Sequence, residues 1–198
     1  MFEHLNHRIP KRIEQEQERV SAVLIPLIQK EDGYHILFEV RSEKLNHQPG
    51  EICFPGGRME PGETSAETAV RETKEELLIE ENNLKFYGPL DYFLSPAGFR
   101  VEPFLGELID YQGQFSRDEV QSVFTVPLKF FQETKPDLYY NRIDFRPGEV
   151  FPFEDIPGGK NYPWAEGSYE VAFYRYDDYI IWGMTAKILS YNLKYLQI

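Results

Sequence analysis

Between Gly57 and Ile79 the chain carries three glutamates, Glu72, Glu75 and Glu76, at spacings that bring them onto one turn of one helix face. Residues at i, i+3 and i+4 are neighbours on a helix surface, and their side chains lean back towards the helix start. At about 100° per residue, Ala66, Ala69, Val70, Thr73 and Leu77 fall on the other side, so the helix is expected to pack that stripe on a core and face the glutamates outward. Thr64 or Ser65 stands as N-cap with carboxylates in the first turn, and Pro61-Gly62 supplies the preceding turn. Glu72 and Glu76 are like charges at i and i+4, which costs helix stability a few tenths of a kcal/mol in order of magnitude. A divalent cation removes that penalty, and magnesium, a hard ion that prefers oxygen ligands, fits, with manganese as the alternative. A solvated acidic face with Arg71 and Lys74 as ion-pair partners is the other reading of these residues taken alone.

The residues upstream decide between the two. Phe54-Pro55-Gly56-Gly57 is followed, five residues on, by Glu63 and, after seven more, by Arg71-Glu72. This resembles the box of the Nudix hydrolases: Gly, five residues, Glu, seven residues, Arg-Glu, an aliphatic, any residue, Glu-Glu, any residue, Gly, an aliphatic. The charged positions all match. Thr73 stands at the first aliphatic position and presents a methyl to the packing stripe. Leu78 replaces the second glycine, which implies a helix exit without a positive φ, because a bulky residue would be strained there.

A second stretch, Arg41 to Gly57, is similar to the extension that marks the coenzyme A pyrophosphatase branch of the family. Arg41, Ser42, Leu45, Gly50 and Phe54 to Gly57 are present, and Asn46 stands where the branch usually has arginine. Ser95 to Phe99 with Pro103-Phe104, Glu119 to Leu128, and Ile181 to Leu189 also look similar to that branch, whereas Phe145 to Tyr169 does not match. The resemblance implies a Nudix α/β/α sandwich with a mixed β-sheet. It also implies magnesium-dependent cleavage of coenzyme A or its thioesters into 3′,5′-ADP and phosphopantetheine. In that site Glu72, Glu75, Glu76 and the Gly57 carbonyl would hold the metal. Arg71 would pair with Glu63, with Glu67 or Glu75 as local alternatives. The general base would be one of the metal-bound glutamates or Glu119, which reads equally as a surface charge. Arg41 and Arg100 would meet the substrate's phosphates. Phe99 and Trp182 would stack on adenine or simply pack. Asn46 keeps open another nucleotide diphosphate such as ADP-ribose, and a non-catalytic Nudix-fold binding module is the third reading. Relatives often dimerise, so a homodimer is an expectation too.

Composition constrains the rest. With 198 residues, 41% of them hydrophobic, the chain suits one domain, residues 1–198, with a substantial core. The longest apolar run, about Ala22 to Ile28, is interrupted by Pro26 and is too short to span a membrane. Phe2-Glu3-His4 is polar at once, so no export signal is read and the cytoplasm is the expected compartment. The single cysteine, Cys53, excludes an internal disulfide and reads as a buried small hydrophobe. A net charge of −12 argues against nucleic acid polymers, which are bound by neutralising phosphates. It also requires divalent cations between an anionic small-molecule diphosphate and the acidic helix face.

Strands are expected at Val20 to Gln29 and His35 to Arg41, a hairpin around Glu31-Asp32-Gly33, and at Glu51 to Phe54. Further strands are expected at Leu84 to Leu94, Val101 to Leu108, Val120 to Val126, Leu138 to Phe145, Tyr169 to Tyr174 and Tyr179 to Trp182. Helices are expected from about Ser65 to Leu77, at Leu128 to Gln132 and at Met184 to Leu196. Residues 1–18 are polar, with Pro10 separating a short helical candidate from a second one. Residues 147–167 form a long Pro/Gly-rich loop, readable as a lid or as a connector.

Overall fold

The computed structural model describes residues 19–197; the two N-terminal helix candidates lie outside them. The first strand, β1 (Arg19–Lys30), alternates in two directions and sets the layering. Ala22 and Leu24 point to one face, where they meet Ala69 of helix α1 (Ser65–Leu77) and Phe104. Ile25 and Leu27 point to the other face, into a larger cluster with Leu128 and Phe131 of α2 (Leu128–Glu133) and Ile188 and Leu189 of α3 (Gly183–Asn192). The sheet is therefore covered on both sides, in an α/β/α arrangement.

Strand β2 (Gly33–Arg41) returns antiparallel to β1 through the expected turn, with Lys30 opposite Gly33. The short strands β3 (Ile52–Cys53) and β4 (Gly56–Arg58) pair with β2 and with the first half of β1. After α1 come β5 (Leu84–Pro89), β6 (Phe93–Leu94) and β7 (Phe99–Leu108). β7 runs parallel to β1 from Arg19 opposite Phe99 to Leu27 opposite Glu107, and every other pairing is antiparallel, so the sheet is mixed. β8 (Val120–Pro127) adds to β2. A second sheet holds β9 (Asp137–Asp144), β10 (Glu166–Tyr176) and β11 (Tyr179–Trp182). Phe38 of β2 joins the layers, stacking on Phe54 at 5.1 Å and on Phe124 at 5.5 Å between ring centres.

Several boundaries differ from the sequence expectation, and β4 has no counterpart in it. The strand expected over Leu84 to Leu94 is two, β5 and β6, both pairing with β7 and separated by residues 90–92. The last helix stops at Asn192, because Leu193–Tyr195 tighten into a 3-10 turn. Residues 145–165 connect β9 to β10, and around their two 3-10 turns Phe151 packs edge-on against Phe153 and Trp164 at 5.0 and 5.5 Å.

The exit of α1 is a correction. Leu78 adopts the left-handed conformation, φ 50° and ψ 48°, against the expectation of an exit without a positive φ. Its N–H and that of Ile79 both donate to the Lys74 carbonyl. The reversal buries Leu77 and Ile79 together against Leu37 and Leu108, while Leu78 projects into solvent. Burying two aliphatic side chains is worth about 1.5–3 kcal/mol each, more than the roughly 1–2 kcal/mol of left-handed strain. Leu78→Gly should remove that strain at a cost of about 0.5–1 kcal/mol in chain entropy, for a net gain of up to about 1.5 kcal/mol. Urea denaturation would measure it; a loss of stability would contradict the strain.

Candidate active site

The site begins where β4 is pressed against β1. Val23 lies opposite Gly56 and Ala22 opposite Gly57. Gly56 has φ 150°, and a Cβ there would overlap the Ala22 carbonyl and lie 2.6 Å from Val23 Cα, so only glycine permits the approach. A Cβ on Gly57 would overlap the Glu72 carboxylate, so the second glycine makes room for a helix glutamate.

Helix α1 presents that glutamate because its start is fixed. Thr64 forms a reciprocal capping box with Glu67, which takes Glu67 away from Arg71. Arg71 forks onto Glu63 through Nε at 2.6 Å and Nη2 at 3.1 Å, tying the loop to the helix. Its Nη1 reaches Glu72 at 3.0 Å and Glu75 at 3.1 Å. The Arg71 guanidinium, with donors from the Glu60 backbone and Thr68, holds the Glu63 carboxyl down at about 2. The same pairing raises Arg71.

The three helix glutamates do not converge as the helical spacing implied. Glu75 is engaged by Arg71 and its side chain is 57% exposed. Glu76, expected to face outward, is only 4% exposed, and its Oε2 accepts a 2.7 Å hydrogen bond from Gly56 N–H. The third carboxylate comes from elsewhere. Among the described residues, Glu72, Glu76 and Glu119 each offer an oxygen within 4.8 Å of the others. Glu119 is brought there by backbone ties: Ser116 N–H donates to the Glu76 carbonyl at 2.8 Å, and Ser42 N–H donates to the Glu119 carbonyl at 2.9 Å.

Burial without enough cations decides the electrostatics. Desolvation is the first cause that pushes Glu76 up to about 8, aided by Glu72 and Glu119 and opposed by the Gly56 hydrogen bond. Desolvation also raises Glu72, against the pull of Arg71. A fourth carboxylate, Glu39 of β2, is 1% exposed and is raised by burial first and then by Glu76. Glu39 was not among the sequence candidates; a lone glutamate inside the otherwise apolar stretch Ile36 to Val40 was the available signal.

The other candidates divide. Arg41 stands close enough to lower both Glu39 and Glu76, and its Nε donates to the His47 carbonyl at 3.3 Å. Arg100 pairs with Glu102 at 3.0 Å, and Glu102 accepts a hydrogen bond from Ser65 at the start of α1. Phe99 packs on the core beside Phe93, and Trp182 stacks on Phe173 at 5.6 Å. Cys53 is a free thiol that burial raises.

The sequence pattern described as the NUDIX domain matches residues 18–172. The chain belongs to the Nudix hydrolase family. It is 34% identical over 148 residues to the mouse peroxisomal coenzyme A diphosphatase NUDT7, covering 71% of this chain and 62% of the relative. It is 41% identical over 112 residues to Nudix hydrolase 3 of Caenorhabditis elegans, covering 54% and 47%. The chain thus spans less than two thirds of the length of either. An uncharacterized Nudix hydrolase, NudL of Yersinia enterocolitica, is 30% identical over 173 residues, 85% of this chain and 77% of that one. Among solved structures, the binary complex of a C. elegans Ap4A hydrolase aligns with 24% identity and a TM-score of 0.47, over 55% of this chain and 80% of that one.

Nudix proteins generally use a divalent metal such as magnesium. The donor set suits one, since Glu72, Glu76 and Glu119 are all hard oxygen donors. Among the described residues, no helix is long and apolar enough to cross a membrane.

A pH prediction follows from Glu76. Its folded value, about 8, exceeds the ordinary 4.5, so between those values the native state holds a proton that the unfolded chain has released. Stability in EDTA should therefore fall as pH rises from about 4.5 to about 8. Magnesium should raise Tm most at the alkaline end, because a cation competes with that proton. Thermal melts of wild type and Glu76→Gln across this range test it; an unchanged slope in the variant would contradict the assignment.

Proposed function

We propose that this chain is a magnesium-dependent pyrophosphatase that hydrolyses coenzyme A or its thioesters to 3′,5′-ADP and phosphopantetheine. The observation that carries the reading is the meeting of Glu72, Glu76 and Glu119 behind the Gly56-Gly57 turn. Glu72, Glu76 and the Gly57 carbonyl are the proposed metal ligands. Bound there, magnesium would neutralise the diphosphate and acidify a water, with manganese as a substitute.

In the reaction a water oxygen bonds to one phosphorus while the bridging P–O bond breaks, and a phosphate monoester leaves. Glu119 is the proposed base for the water's proton; it reaches the site from the turn before β8, not from the helix that carries the other glutamates. Arg71 orients Glu72 and Glu75, and Glu63 holds Arg71, so Arg71 and Glu63 act by positioning. Arg41 is the proposed phosphate contact, supported by its place beside Glu39 and Glu76. Arg100 and Phe99 would line the approach from the start of β7. The substrate assignment rests on the Arg41 to Gly57 stretch and on the similarity to the mouse coenzyme A diphosphatase. Asn46 favours the second reading, a nucleotide diphosphate without the 3′-phosphate, such as ADP-ribose.

Product analysis with coenzyme A, dephospho-coenzyme A, ADP-ribose and dinucleoside polyphosphates at matched magnesium tests the proposal. Coenzyme A should have the highest kcat/KM and release 3′,5′-ADP. Dephospho-coenzyme A should be poorer, and Arg41→Ala should shrink that difference, because it removes the paired guanidinium contact to the 3′-phosphate. Glu76→Gln should remain folded and lose at least about a hundredfold in turnover. Should ADP-ribose outperform coenzyme A, the substrate assignment fails while the diphosphate chemistry stands. If no diphosphate is cleaved, the chain is a binding module.

A further inference from the structure

Glu39 is a buried carboxylate that nothing in the protein fully satisfies. It lies in the middle of β2, 1% exposed, and its Oε1 has no hydrogen-bond partner. An ionised carboxylate removed from water without compensation is among the costliest groups a fold can carry. Arg41, two residues along, offsets part of the charge, while Glu76 and Glu119 add to the repulsion.

The strand explains where the carboxylate points. Ile36 and Phe38 of β2 face the α2 and α3 layer, whereas Leu37 faces α1 and packs with Leu77. Glu39 follows Leu37 on the same face, one strand step nearer the glycine turn. Across the β2–β3 pair it stands opposite Cys53, three residues before the Gly56 N–H that holds Glu76. The unpartnered oxygen is therefore aimed at the buried side of the Glu72, Glu76 and Glu119 group.

Building on the metal site proposed above, we propose that Glu39 is a positioning residue of that site, its Oε1 accepting a hydrogen bond from a water in the cation's hydration shell. Magnesium and manganese keep several waters when bound by few carboxylates, and those waters need acceptors. Glu39 is the acceptor on the side closed to solvent. Partners in this outer layer set metal affinity, and losing one costs about 10–100-fold. The same carboxylate is a liability when no cation is bound.

The test is Mn²⁺ titration of the purified protein by electron paramagnetic resonance, without substrate, on wild type, Glu39→Gln and Glu72→Gln. Thermal melts of each in EDTA accompany it. Glu39→Gln should weaken Mn²⁺ binding about 10–100-fold while melting in EDTA at or above the wild-type temperature. Glu72→Gln should weaken binding as well. A Glu39→Gln affinity within twofold of wild type, with Glu72→Gln impaired, overturns the role of Glu39 and leaves the metal site standing. A Glu39→Gln protein that unfolds or melts lower in EDTA also overturns it, since the carboxylate would then serve the fold itself. Wild type that does not bind Mn²⁺, or binding that neither variant weakens, overturns the metal site and this proposal with it.

Discussion

The hydrogen bond from Gly56 N–H to the Glu76 carboxylate joins the two halves of the site, and the rest of the architecture depends on it. It requires β4 to lie against β1 so closely that a side chain at position 56 would overlap the Ala22 carbonyl. It also requires α1 to pack squarely on the sheet, which the Ala22, Leu24, Ala69 and Phe104 cluster and the Leu37, Leu77, Ile79 and Leu108 cluster secure at either end. Packing thus fixes where the carboxylates stand. Charge then decides what they can do.

That charge is concentrated against the usual rules of burial. Glu39 and Glu76 are almost wholly enclosed, and Glu72 is largely so, with Arg71 and Arg41 as the cations beside them. Arg71 spreads its donors over Glu63, Glu72 and Glu75, so it cannot neutralise the cluster alone. A chain with a net charge of −12 accumulates further repulsion here. A bound divalent cation would turn this repulsion into attraction, which is why the Nudix pattern and an acidic protein are compatible.

Much of this was legible in the sequence because it is local. The N-cap at Thr64, one of two candidates, the apolar stripe of α1, the strands and the pairing of Arg71 with Glu63 all follow from short-range pattern or from motif spacing. What could not be read was set by distant parts of the chain. Glu119 stood in the sequence only as an outside candidate for the base that reads equally as a surface charge; its meeting with Glu72 and Glu76 depends on the tie of Ser116 to the last turn of α1, a contact with no sequence period. Glu75 and Glu76 flank Glu72 on a helical projection, about 100° apart, and Arg71 draws one out while the glycine turn draws the other in. Leu78 shows the same override, since the burial of its two neighbours outweighs its own backbone preference. Glu39 was visible as a charge within an apolar strand, but its direction emerges only once Leu37 is seen against α1.

The central claim is that Glu72 and Glu76, not the full set of helix glutamates, form the cation site together with the glycine turn. A crystal of the protein soaked in Mn²⁺ and measured for anomalous scattering tests this most directly. The account predicts a peak at about 2.0–2.3 Å from carboxylate oxygens of Glu72 and Glu76 and from the Gly57 carbonyl, with Glu75 still on Arg71. A peak coordinated by Glu75 in place of Glu76, or no peak within the cluster at millimolar Mn²⁺, would contradict it.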